Sequence, residues 1–136
     1  MRRLLLIFVL LFPASAFAEL EFSDAWIKNL PPSIPVRAGY MTIHNPGPGA
    51  LSVVSVRSEA FSSVEIHRSF MQDGMMRMEP VDKLEIQVEA SVKLEPGGLH
   101  LMMMMPHEPT SPGDEIVIFV KLDDGSEQGL KMTVVE

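Results

Sequence analysis

The chain has 136 residues, with 11 Lys and Arg against 18 Asp and Glu, a formal charge of −7, and no cysteine. That length suits one domain with a real core. The acidic balance argues against nucleic acid and anionic lipid as partners. The missing thiols exclude disulfides, thiolate metal sites, redox thiols and cysteine nucleophiles.

In chain order, Arg2 and Arg3 form a positive head and Leu4 to Phe12 an unbroken apolar run. Pro13 interrupts the run, and Ala16-Phe17-Ala18 has the small-x-small form that signal peptidase reads. The run is roughly half the ~20 residues of a membrane-spanning helix. The pattern predicts a signal peptide over 1–18, cleavage after Ala18, export to the periplasm and no membrane insertion afterwards. No cysteine near the cleavage point would take a lipid.

From Glu19 onward, turn signals recur at short intervals. Pro31-Pro32, Asn45-Pro46-Gly47-Pro48-Gly49, Asp73-Gly74, Pro96-Gly97-Gly98, Ser111-Pro112-Gly113-Asp114 and Asp123-Asp124-Gly125 all punctuate the chain. Between them Val53–Val56, Val64–His67, Leu84–Val88, Ile116–Val120 and Lys131–Val135 are rich in β-branched residues and read as strands. No stretch keeps apolar residues at helical spacing over three turns. Residues 19–136 are therefore expected to form a single all-β domain, a sandwich or barrel.

Methionine is the compositional anomaly, 11 in all. Met102 to Met105 are consecutive, and Met75, Met76 and Met78 cluster upstream. Methionine is ordinarily a flexible core filler, and composition alone favours that reading. Strand geometry shifts the weight, because successive side chains point to opposite faces. His100 and Met102 then share one face, with Leu99, Leu101 and Met103 on the other, which is the natural core face. By the same rule Glu65 and His67 lie opposite to Val64 and Ile66, and Met76 and Met78 lie together. Trp26 reads as a core anchor, His44 and His107 as surface histidines, and Glu65 and Asp73 as solvated charges.

The spacing of His67, Met78, His100 and Met102 resembles the PCuAC family of copper chaperones. Ten residues separate His67 from Met78, twenty-one separate Met78 from His100, and Met102 completes a His-x-Met pair. Asp24-Ala25-Trp26, Ala38-Gly39-Tyr40-Met41, Asn45-Pro46-Gly47, Val64-Glu65-Ile66-His67, Met76-Arg77-Met78 and Pro96-Gly97-Gly98-Leu99-His100 extend the resemblance over nearly the whole mature chain. A C-terminal extension rich in His and Met, carried by some members, is missing. The resemblance implies a cupredoxin-like β-sandwich and one copper(I) held by His67, Met78, His100 and Met102. It also implies delivery to the CuA-bearing subunit of cytochrome c oxidase.

Two imidazoles and two thioethers form a soft, uncharged donor set that suits copper(I) better than copper(II) or zinc. An electron-transfer cupredoxin would need a Cys thiolate, and an oxidase ligated through an N-terminal His would need His where Glu19 stands. The expectation is a monomeric carrier, not an enzyme. Its partners are the copper ion and the oxidase subunit or another periplasmic copper protein. A copper buffer and a metal-free β-sandwich interaction module are the alternatives. The roles of Met75, Met76, Met103, Met104, Met105 and His107 in binding or transfer stay open. The run Met102–Met105 and the Pro96-Gly97-Gly98 turn are the expected docking edge. Mass spectrometry of exported protein is expected to show Glu19 as the first residue; intact Met1 in that material would overturn the cleavage assignment.

Overall fold

The structure, a computed structural model, describes residues 19–136. The expected signal peptide, 1–18, lies outside the described residues. Ten strands follow one another: β1 (Glu21–Lys28), β2 (Val36–His44), β3 (Leu51–Arg57), β4 (Phe61–Gln72), β5 (Met75–Pro80), β6 (Leu84–Ile86), β7 (Ser91–Leu94), β8 (Leu99–Pro106), β9 (Glu115–Leu122) and β10 (Glu127–Val135). Among the described residues no helix is long and apolar enough to cross a membrane.

Neighbouring strands run β5-β4-β8-β2-β1-β10-β9-β3-β6, with β7 paired to β2. A further pairing of β3 with β4, at Val56 and Val64, joins the strands next to the two ends of this path. The sheet thus closes on itself into the expected all-β sandwich, and β5 and β6 stand outside the closure as edges. β1 and β10 pair in parallel. Closure removes most of the free edge that an open sheet exposes to aggregation.

Alternation along the strands builds the core. Leu101 and Met103 of β8, Met41 and Ile43 of β2, and Ile118, Val120 and Leu122 of β9 point inward and are buried. Gly39 lies on the same inward row of β2, and a side chain there would reach Met103 Cε at 2.8 Å and Leu101 Cβ at 3.3 Å. Glycine at mid-strand lets β2 and β8 pack that closely. Arg37 is buried on this row too. Its Nε donates to Thr110 Oγ1 at 2.7 Å and its Nη1 to the carbonyls of Ile34 and Val36. Burial without a carboxylate partner lowers its pKa from the usual range.

The expected strands all lie within observed ones, with one shortening: β6 stops at Ile86, because the chain turns at Val88 and Glu89, where φ reaches 59°. The Asp73-Gly74 turn has positive φ at both residues, 53° and 76°. That is the type I′ geometry whose twist matches a two-residue hairpin, and it fixes the register of β4 against β5.

Asn45 closes the β2–β3 loop from inside. It is fully buried, donates from Nδ2 to the carbonyls of Gly49 and Ile86, both at 2.9 Å, and accepts from the Gly47 amide at 3.0 Å. Replacing it by Ala strands two carbonyls and an amide. Asn45→Ala is expected to lower the unfolding free energy by about 2–3 kcal/mol in urea melts. A change smaller than about 0.5 kcal/mol, the range of ordinary surface substitutions, would show that the loop does not depend on it.

Candidate metal centre

Three adjacent strands carry the centre. In β4 and β8, His67 stands directly opposite His100 and Glu65 opposite Met102. In β4 and β5, Ser69 stands opposite Met78 and Met71 opposite Met76. Directly opposed residues project to the same face of a sheet. His67, Met78, His100 and Met102 therefore share one face, joined by Glu65, Met71, Met76 and Met104. It is the outer face, since Val64, Ile66, Leu101 and Met103, alternating with these residues, are buried in the core.

The two imidazoles are oriented by their own hydrogen bonds. The ring centroids of His67 and His100 stand 6.0 Å apart at an interplanar angle of 62°. His67 Nε2 donates to Glu65 Oε2 at 2.7 Å, and His100 Nδ1 donates to the Gly98 carbonyl at 3.1 Å. A carbonyl can only accept, so His100 carries its proton on Nδ1 and leaves Nε2 with a lone pair. The Glu65 carboxylate, accepting at Nε2, fixes the other tautomer in His67 and leaves Nδ1 free. These two nitrogens, His67 Nδ1 and His100 Nε2, are buried and have no hydrogen-bond partner. Buried polar atoms without partners are uncommon and need a cause. Two of them, one from each ring of a cross-strand pair, match imidazoles set to bind one ion, each held by a second hydrogen bond on its far nitrogen.

Burial falls away from β8 towards the edge. His100 is 4% exposed, Met102 is half-buried, and Met78 is 55% exposed. An ion at the imidazoles is thus covered on the β8 side and open towards β5. Among the described residues no group of three or more His, Asp or Glu could hold a metal. The thioethers on the face of the imidazoles are Met71, Met76, Met78, Met102 and Met104, and Met78 and Met102 are the two that the sequence spacing singles out. On the other side Ala38 stands opposite Met102, and Tyr40 and Trp26 pack their rings at 4.6 Å. Burial pushes the Tyr40 hydroxyl above its ordinary pKa.

Several expectations change here. Trp26 is not a core anchor: it is paired with Tyr40 on the outer face and half-buried. His100, although off the core row, is itself buried, so its truncation opens a void and the fold will register it. Glu65 is not a bystander, since it orients His67. The run Met102–Met105 is not an edge. β8 lies between β4 and β2, and Met103 is fully buried. The strand at the free edge beside the centre is β5. Met75 projects from the opposite face to Met76. His44 accepts or donates at Ser91 Oγ, 2.8 Å away, and His107 donates to the Glu59 carbonyl; neither lies on the strands that form the centre.

The LpqE-like family model, named for a lipoprotein, matches residues 20–134. The protein Lxx21020 of Leifsonia xyli subsp. xyli is 28% identical over 115 residues, which is 84% of this chain and 68% of that one. Among solved structures, the copper(I) form of DR1885 from Deinococcus radiodurans superposes with a TM-score of 0.63 at 27% identity, covering 89% of this chain and 82% of that one. The copper-bound PCuAC domain from PmoF2 superposes with a TM-score of 0.71 at 16% identity, covering 85% and 91%, and shows the shared fold.

Removing the group that orients a ligating histidine ordinarily lowers metal affinity 10–100-fold. Glu65→Ala is expected to weaken metal binding at the imidazole pair by about that factor, read by competition with a chromophoric chelator. Affinity indifferent to this change would place the metal elsewhere.

Proposed function

The chain belongs to the LpqE-like family, and from that premise we propose that it is an exported copper(I) carrier whose cargo sits between His67 Nδ1, His100 Nε2, Met78 and Met102. The observation that carries this reading is the pair of buried, unpartnered imidazole nitrogens on the face that also presents the two thioethers. The donor set is neutral and soft, which favours copper(I) over zinc and over hard cations. The copper-bound forms among the structures it resembles support the same cargo.

Carriage and release follow from the shape of the site. His100 and His67 come from neighbouring paired strands and are held by Gly98 and Glu65, so their positions are set before the ion arrives. Met78 lies on the edge strand and is largely exposed, so it is the ligand an incoming acceptor can displace first. Without a thiolate the site holds copper(I) less firmly than a cysteine-bearing acceptor would. Exchange towards thiolates runs downhill. The acceptor we propose is the dinuclear CuA centre of cytochrome c oxidase, reached in the periplasm, with the carrier itself not an enzyme.

The test mixes the copper(I)-loaded protein with the reduced, apo soluble domain of the CuA-bearing subunit. Copper is expected to move to the acceptor, and the His100→Ala, Met102→Ala double variant is expected to deliver none. Retention of copper by the wild type, together with full oxidase activity in a deletion strain at limiting copper, would replace the carrier by a copper buffer.

A further inference from the structure

The outer face of the β4–β5 hairpin carries more thioether than the centre uses. Met71 and Met76 are directly opposed across the two strands, and Met78 follows Met76 on the same row. All three are exposed: Met71 62%, Met76 55% and Met78 55%. Nothing in the fold explains them as packing. Large apolar side chains standing together in water are the exception on a protein surface. The register that groups them is fixed by the type I′ turn at Asp73-Gly74. Opposed side chains in a sheet stand about 5 Å apart at Cβ and diagonal ones about 7–8 Å. The three rotatable bonds of methionine bring such sulfurs to a common point. The hairpin ends in water at one side and leads, along the same face, through Ser69 to His67 at the other.

We propose that Met71, Met76 and Met78 form a second, all-thioether copper(I) site, a landing site at the open end of the hairpin from which the ion passes inward. This rests on the carrier reading above and adds the route. Met78 is common to both sites. The ion arrives on three thioethers. It exchanges those of Met71 and Met76 for His67 Nδ1 and then His100 Nε2 and Met102, keeping Met78 throughout. Copper stays in the +1 state, and no bond but metal–ligand bonds is made or broken. Because Met78 is shared, the landing site is a station in transit and not a store. Its donors are softer and more exposed than those within, so it captures and yields quickly while the imidazoles hold.

The test uses the full mature protein labelled with ¹³C at the methionine methyls, with silver(I) as a redox-inert probe and copper(I) for kinetics. On titration the Met78 and Met102 methyls are expected to move with the first equivalent of silver. Those of Met71 and Met76 should broaden during sub-stoichiometric additions, as the ion exchanges between the two sites, and recover once the inner centre is filled. Met75, equally exposed at 61% but on the opposite face, serves as the internal control and should stay. The Met71→Leu, Met76→Leu double variant keeps the apolar volume. It is expected to retain the wild-type equilibrium affinity for copper(I) within about twofold while loading from a copper(I)–chelator complex at least tenfold more slowly. Loading at the wild-type rate, or Met71 and Met76 methyls that respond no more than Met75, would overturn the landing site while leaving the inner centre intact. A wild-type protein that binds neither ion removes the carrier reading itself, and the landing site with it.

Discussion

His67 and His100 meet across the ladder between β4 and β8, and the proposed metal centre depends on that pairing. The two residues lie far apart in sequence, so only the register of the strands brings their rings together. The register in turn is held by the inward neighbours. Ile66 pairs with Leu101 and Val64 with Met103, and all four are buried. A slip of one residue would carry these apolar side chains into water and the imidazoles into the core. Hydrophobic burial on one face therefore fixes ligand geometry on the other. Closure of the sheet through Val56 and Val64 secures the arrangement, because β4 is then paired on more than one side along its length.

The same arrangement places a cost on the metal-free protein. A buried polar atom without a partner is destabilising by about 1–3 kcal/mol, and the centre holds two, one on each ring. Against a typical total stability of 5–15 kcal/mol such a cost is tolerable but not small. An apolar pair at these positions would avoid it. Buried lone pairs kept in place by Glu65 and Gly98 fit a site organised for a ligand in advance, and a metal bound by the folded state alone would offset the cost by mass action.

Much of this was legible in the chain itself. Frequent turn residues and short β-branched segments indicated an all-β domain, and alternation put His100 beside Met102 and opposite Leu101. The Asp73-Gly74 dipeptide marked the turn that aligns β4 with β5. Other features depend on contacts distant in sequence and carry no local signal. The bond from Glu65 to His67 requires a particular rotamer on an exposed strand. Trp26 looked like core because tryptophan usually is, yet β1 bulges between Ser23 and Trp26, with Asp24 at φ 51°, and the ring faces outward against Tyr40. The methionine run looked like an edge because local sequence does not reveal that β8 lies in the middle of the sheet. β7, with only four residues, was too short to stand out against its surroundings.

Placing β5 at the edge and β8 in the interior also orders the ligands by accessibility. Exposure falls from Met71, Met76 and Met78 to Met102 and then to His100. Along the same path the donors change from thioether alone to thioether with imidazole. Burial slows ligand exchange, because a leaving ion must be met by an incoming group that can reach it, while an exposed thioether on an edge strand can be replaced at any time. In the proposed carrier the sheet therefore separates capture from retention without a moving part. Capture would belong to flexible side chains on a strand with one free edge. Retention would belong to rings pinned by a carboxylate and a carbonyl between strands that the core holds in register.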